Sequence, residues 1–295
     1  MENASNIASI SFAEKLSAYL ELTKPRIAIM LVLTAAAGFY LGGKSFDLLL
    51  FVNSMIAITL LAFGVSTLNQ YWERESDKLM ERTASRPLPS GKITPLEALV
   101  FGSLLCLSAE IYLAVAINFL TALLGLIVII GYVFIYTPLK SRTSMSTAVG
   151  AIPGALPPLM GFTAASNEIS IAAWITFAIL FFWQFPHFLA IAWMYRDQYA
   201  KAGILMLPVI EPSGKITARQ IVIFAVLTLV ISVLPYFFGF AGVIYLVGAI
   251  LLGFWFLYES IKMAREKSDS QARKLLRVSV IYLPLIYLIL VLNHL

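Results

Sequence analysis

The chain has 295 residues, 60% of them hydrophobic and only 13% charged, with a mean hydropathy of +0.87. A soluble domain carries about 25% charged residues, so the composition excludes a water-soluble globular protein and describes a polytopic membrane protein whose core lies in lipid. The net charge of +5 gives no reason to expect nucleic acid, because basic residues confined to loops account for it, and the single Cys106 excludes an intramolecular disulfide and reads as a buried structural thiol.

Taken in chain order, Phe12, Leu16, Tyr19 and Leu20 first recur at helical spacing with Glu14 and Lys15 between them. This pattern predicts an interfacial helix lying on the membrane, the alternative being a poorly ordered tail, and it lacks the form of a secretory signal. Residues 1–25 read as an N-terminal cytoplasmic or interfacial segment and 26–295 as a single transmembrane domain. Apolar runs of spanning length fall at about 26–43, 48–70, 95–116, 118–137, 144–163, 170–194, 218–238, 241–259 and 276–293. The predicted fold is therefore all-α, with nine transmembrane helices. The interruption at Asn118 is short enough to pass for the middle of one long helix.

The connections alternate in charge. One side receives Lys15, Lys24 and Arg26, the loop from Arg74 to Lys92, Lys140 and Arg142, the loop from Arg196 to Arg219, and the loop from Lys262 to Arg277. The other side receives only Lys44, so 20 of the 21 Lys and Arg residues share a face. The positive-inside rule then places the N-terminus and the charged loops in the cytoplasm and the C-terminus outside. Within the fifth run, Gly150, Pro153, Gly154, Pro157, Pro158 and Gly161 preclude a straight helix. A broken span is tolerated where protein or a cavity satisfies the freed carbonyls, and it is expected here to form a cavity wall.

The chemistry concentrates after the second span. Asn69, Glu73, Asp77 and Glu81 recur every four residues, so a helix continuing through them carries all four on one face. Orientation of the protein needs only basic residues, so an acidic ladder at this boundary calls for another use. Oxygen ligands followed by Arg82 and Arg86 suit a divalent cation such as magnesium and a bound phosphate group. Glu75 and Glu81 can equally pair with Arg74, Lys78 or Arg82. A second polar corner is Tyr136-Thr137-Pro138-Leu139-Lys140-Ser141-Arg142-Thr143. A third is Trp183-Gln184-Phe185-Pro186-His187-Phe188, followed by Trp193 to Gly203 with Asp197. His187 lies within a span, where a histidine is either a hydrogen-bonded packing residue or, as a neutral imidazole, an axial ligand for haem iron. His294, beside the C-terminus, is assigned no role.

These motifs, with Leu22-Thr23-Lys24-Pro25-Arg26 and Met206-Leu207-Pro208, occur in an order that resembles the membrane prenyltransferases of the UbiA superfamily, from about Leu22 to Asn293. The Trp183 to Phe188 block resembles the branch that farnesylates haem. The resemblance implies a nine-helix bundle around a central cavity, farnesyl diphosphate and haem b as substrates, Mg2+ held by two acidic motifs, and haem O as product. It implies Asn69, Glu73 and Asp77 as ligands in the first motif and Asp197 in the second. Arg82, Arg86, Lys140 and Arg142 would contact the diphosphate, with Asn69, Glu73, Asp77, Arg82 and Lys140 as the catalytic set. Tyr136, Glu81, Trp183 and His187 complete the implied substrate-binding residues, His187 on the haem side, and Phe181 and Phe182 are candidates for the prenyl-tail groove. The resemblance also implies the cell membrane as location and leaves room for a partner that processes haem O or assembles an oxidase. The chain departs from the family pattern in using Glu73 and Glu75 where many members have aspartates, and in having Gln198, not an acid, directly before Tyr199. Two rival functions are a transferase acting on a quinone or chlorophyll precursor, and a secondary transporter, which also uses broken helices. The transporter reading is disfavoured because the charged groups gather on one side.

Overall fold

The computed structural model of the protein describes residues 11–295. Residues 1–10 of the N-terminal segment lie outside them. Helix α1 (Phe12–Leu22) begins with a reciprocal capping box, in which the Glu14 amide donates to the Ser11 hydroxyl and the Ser11 amide donates to the Glu14 carboxylate. Phe12, Leu16 and Leu20 are exposed along one stripe, whereas Ala18 and Leu22 pack on Leu88, Ile93 and Ala98. Tyr19 leaves the stripe and meets Phe101 edge-on, with ring centroids 5.0 Å apart. Residues 12–22 are thus a helix with one apolar face unpartnered by protein, not an unstructured tail.

Nine helices among the described residues are long and apolar enough to cross a membrane. They are α2 (Pro25–Gly42), α3 (Leu48–Lys78), α4 (Pro95–Ile117), α5 (Phe119–Leu139), α6 (Ser146–Ser166), α7 (Ile171–Met194), α8 (Lys215–Phe237), α9 (Val243–Glu266) and α10 (Asp269–Leu292). Consecutive helices pack together, and contacts of α2 with α6, α7 with α10 and α2 with α10 close the bundle. Hydropathy finds only the apolar part of each helix. Thus α3 continues past residue 70 to Lys78, through a stretch that includes the good helix formers Glu73, Arg74, Glu75 and Lys78.

Asn118 is a true break. It adopts an extended backbone and caps α5 by accepting from the Thr121 amide at 2.8 Å, and its own amide donates to the Thr163 carbonyl at 2.8 Å. The Pro-rich α6 is interrupted at Ala155, where one helical segment ends at Gly154 and the next begins at Leu156 with prolines in its first turn. In its apolar window α6 is the most buried of the nine spans, at 72%. It serves mainly as the axis of packing. A Cβ at Gly161 would lie 1.8 Å from the Ala35 carbonyl oxygen, and one at Gly38 would lie 1.9 Å from that of Pro158, so this crossing with α2 requires glycine on both helices. Cys106 is buried where α4 crosses α3 at Gly64.

The charged loops meet at one end of the bundle. The Arg82 amide donates to Gln198 at 3.2 Å, the Leu205 amide to the Lys140 carbonyl at 2.8 Å, and Arg196 to Asp269 at 2.8 Å. At the opposite end Ala241 bridges His294 and the Gly242 amide donates to the Asn293 carbonyl at 2.9 Å.

Candidate active site

The last turns of α3 carry Asn69, Glu73 and Asp77 on one face, each engaged by a basic residue from a different segment. Lys24, in the joint between α1 and α2, donates to Asn69 Oδ1 at 2.8 Å, and Asn69 Nδ2 donates to Thr137 Oγ1 at 3.1 Å. Lys140, just past the end of α5, pairs with Glu73 at 2.5 Å. Arg86, in the α3–α4 loop, pairs with Asp77 at 2.7 Å. Asp77 is 1% exposed and Asn69 equally buried, so these are enclosed polar groups rather than a solvated face. The ladder stops there. The helix ends at Lys78, which leaves Glu81 exposed in the following loop and off the shared face. Glu75 pairs with Arg74 and Lys78, the simple alternative open to it from the start.

Local structure explains how Lys140 reaches Glu73. The segment Ile130–Tyr136 is wound as a π-helix, a wider turn often found at functional positions, and Pro138 withholds an amide just beyond it. Thr137 Oγ1 donates to the Tyr132 carbonyl at 2.8 Å while accepting from Asn69. Lys140 Nζ lies 4.5 Å from the centre of the Tyr136 ring. That ring sits against Gly150 of α6, where a Cβ would come within 2.4 Å of it. Burial works against the charge on Lys140, but the Glu73 carboxylate, with Tyr136 and Tyr132, outweighs it and holds the ammonium well above the ordinary lysine range. Lys24 has no such carboxylate contact. Burial, and then repulsion from Arg86, push it down to about 7, with Glu73 opposing.

Two clefts flank α3 at this end. One, of about 410 Å³, is lined by Lys24, Arg26, Gln70 and Arg86, and Gln70 Oε1 is buried without a hydrogen-bond partner. The other, of about 330 Å³, is lined by Glu73, Thr137, Lys140 and Arg142. Arg82 joins the two halves of the chain, since its guanidinium lies 4.8 Å over the Tyr195 ring and donates to Tyr199 Oη at 3.3 Å. Asp197 is exposed on the short helix Arg196–Lys201, whereas the adjacent Gln198 faces the α3–α4 loop.

Trp183 and His187 stand one turn apart on α7 with their rings stacked at 4.6 Å, and both contact Ser279 of α10. Phe181 stacks with Phe177, and Phe185 lies 3.8 Å from Phe224. Sequence reasoning did not single out Lys24, Thr137 or Ser279 as site residues. Lys24 was visible in the Lys24-Pro25-Arg26 motif, but a lone serine in an apolar helix carries no signal.

The donor set can be tested against a divalent ion. Asn69, Glu73 and Asp77 offer only oxygen atoms, which suits a hard cation, but among the described residues no three His, Cys, Asp or Glu side chains converge. Magnesium is usually held by one or two carboxylates together with substrate phosphate oxygens. The residues fit an ion shared with a phosphorylated ligand, and the three basic partners are positioned to balance that ligand's charge.

Residues 30–282 match the UbiA prenyltransferase family. The chain is 46% identical over 286 residues to the protoheme IX farnesyltransferase of Solibacter usitatus, covering 94% of this chain and 98% of that protein. In fold it is similar to a digeranylgeranylglyceryl phosphate synthase, with a TM-score of 0.79, 21% identity, and coverage of 95% of this chain and 98% of the other. It is also similar to a UbiA homologue from Archaeoglobus fulgidus solved with DMAPP and Mg2+, with a TM-score of 0.66, 18% identity, and coverage of 92% and 98%. The family match over most of the chain and the relative of nearly equal length agree with the nine-helix fold: the chain belongs to the UbiA prenyltransferase family.

Proposed function

We propose that the protein transfers the farnesyl group of farnesyl diphosphate to a vinyl group of haem b, giving haem O. The observation that carries this reading is the likeness to protoheme IX farnesyltransferase along almost the whole of both chains. The enclosed set of three oxygen donors on α3, each met by a cation from a different segment, supports the diphosphate half of the reaction. The quinone-precursor and transporter alternatives lack a comparable observation.

Asn69, Glu73 and Asp77 are the proposed Mg2+ ligands, with Asp197 contributing from the second half of the chain. When bound, the metal offsets negative charge on the leaving diphosphate. Lys24, Arg82, Arg86, Lys140 and Arg142 hold the diphosphate oxygens, and Tyr136 seats Lys140. Ionisation breaks the carbon–oxygen bond, and these cations stabilise the charge that develops on the leaving group. The terminal vinyl carbon of haem then bonds to the allylic carbon. The cation left beside the porphyrin ring is captured by water, which releases a proton. Trp183 and His187 belong to the haem side and Glu81 to the rim of the diphosphate side. Apolar packing around Phe181 and Phe182 excludes other water, which would otherwise give farnesol.

Magnesium as the metal, the cell membrane as location, a cytoplasmic N-terminus and charged loops, and an external C-terminus are parts of the same proposal. So are the division into residues 1–25 and a single domain over 26–295, and a partner that consumes haem O. The test is turnover by purified protein in detergent with haem b, farnesyl diphosphate and Mg2+. A haem product heavier by one farnesyl and one hydroxyl group supports the reading. Unmodified haem with metal-dependent loss of diphosphate would move the acceptor to another compound.

A further inference from the structure

We infer that Ser279 is a positioning residue that fixes the tautomer of His187 and leaves its Nε2 lone pair for the substrate iron. This inference rests on the proposed haem reading. Ser279 lies on α10, fully buried, and makes three contacts. Its hydroxyl donates to the Leu276 carbonyl at 2.6 Å, its own carbonyl accepts from Trp183 Nε1 at 3.0 Å, and its Oγ lies 2.8 Å from His187 Nδ1.

A serine hydroxyl has a single proton. The Leu276 carbonyl can only accept, so that proton is committed to it. Oγ must then act as acceptor toward His187, and Nδ1 must carry the hydrogen. In a neutral imidazole this leaves Nε2 as the bare nitrogen, the form that ligates a metal. Nε2 makes no hydrogen bond among the described residues and is not among their fully enclosed, unpartnered atoms. The Trp183 ring stacked on the imidazole at 4.6 Å and 25° is tethered to the same serine, so ring plane and tautomer are set from one residue. Metal-ligating histidines are commonly oriented in this way, and loss of such a partner typically lowers metal affinity about 10- to 100-fold.

The test uses the full-length protein in detergent. Nitrogen-15 NMR of histidine-labelled protein without haem distinguishes protonated from bare ring nitrogens, and a His294→Gln variant assigns the remaining signal to His187. The expected result is a proton on Nδ1 and a bare Nε2. Ser279→Ala should mix the tautomers, alter the haem absorption spectrum, and weaken ferric haem b binding about 10- to 100-fold. A proton on Nε2 in the unsubstituted protein overturns the inference even if the alanine variant fails to fold. So does a Ser279→Ala protein whose tautomer and haem spectrum are both unchanged. If His187→Ala binds haem with the original spectrum, the iron-ligand role falls while the tautomer assignment is judged by NMR alone. The farnesyl-transfer reading is judged separately, by product mass.

Discussion

The Arg86–Asp77 pair makes an asymmetric prediction. Asp77 is 1% exposed and its carboxylate has a single charged partner at 2.7 Å, whereas the Arg86 side chain keeps 21% of its surface open. Arg86→Met therefore strands a buried carboxylate, which costs about 3–5 kcal/mol. Asp77→Asn keeps the shape and a hydrogen-bond acceptor and frees a guanidinium that can turn toward the open cleft, so its cost is about 1 kcal/mol. The double substitution removes both charges and should come close to Asp77→Asn alone. At about 2–4 °C per kcal/mol for chains of 150–250 residues, Arg86→Met should lower the thermal midpoint in detergent by about 10 °C, and the double variant should recover most of that loss. Equal, additive losses for the two single substitutions would refute the argument, because they would mean that neither charge is stranded by loss of the other.

Other expectations follow from neighbouring contacts. Lys24 has a folded-state value of about 7 against an ordinary 10.5, so the unfolded chain binds this proton more tightly across that window. Stability should therefore rise with pH between about 7 and 10.5, and Lys24→Met should flatten that rise in midpoints measured across the range. Gly150→Ala puts a methyl group 2.4 Å from the Tyr136 ring, which seats Lys140. It should lower both turnover and stability, the latter by about 1–3 kcal/mol, and an unchanged rate would detach Tyr136 from the site. Glu110, inside α4, has a buried oxygen without a partner, so Glu110→Gln should leave the thermal midpoint unchanged or raise it. A fall of several degrees would reveal a partner.

Much of this architecture was legible in the sequence because lipid imposes strict rules. Apolar length set the nine spans, and the confinement of Lys and Arg to alternate connections matched the end where the loops meet. The four-residue spacing placed Asn69, Glu73 and Asp77 on one face because that stretch really is helical. The same spacing misled at Glu81, since periodicity does not show where a helix stops. The breaker residues of α6 announced an interruption but not its purpose, because glycine serves a close helix crossing as well as it serves a cavity. Sequence alone assigns Lys24, Thr137 and Ser279 no site role for another reason. Their roles depend on which residue faces them across 45, 68 and 92 positions of sequence, respectively. Asp197 drew attention as the acid of the second motif, yet Gln198 is the side chain that reaches the α3–α4 loop.

The most direct test of the whole account compares the unsubstituted protein with Asp77→Asn in one turnover experiment, using haem b, deuterated farnesyl diphosphate and Mg2+, with folding checked by thermal midpoint. The account predicts deuterated, hydroxylated farnesyl-haem from the unsubstituted protein and none from a variant that remains folded. Equal product from both would contradict the assignment of the ladder on α3 as the site of diphosphate activation.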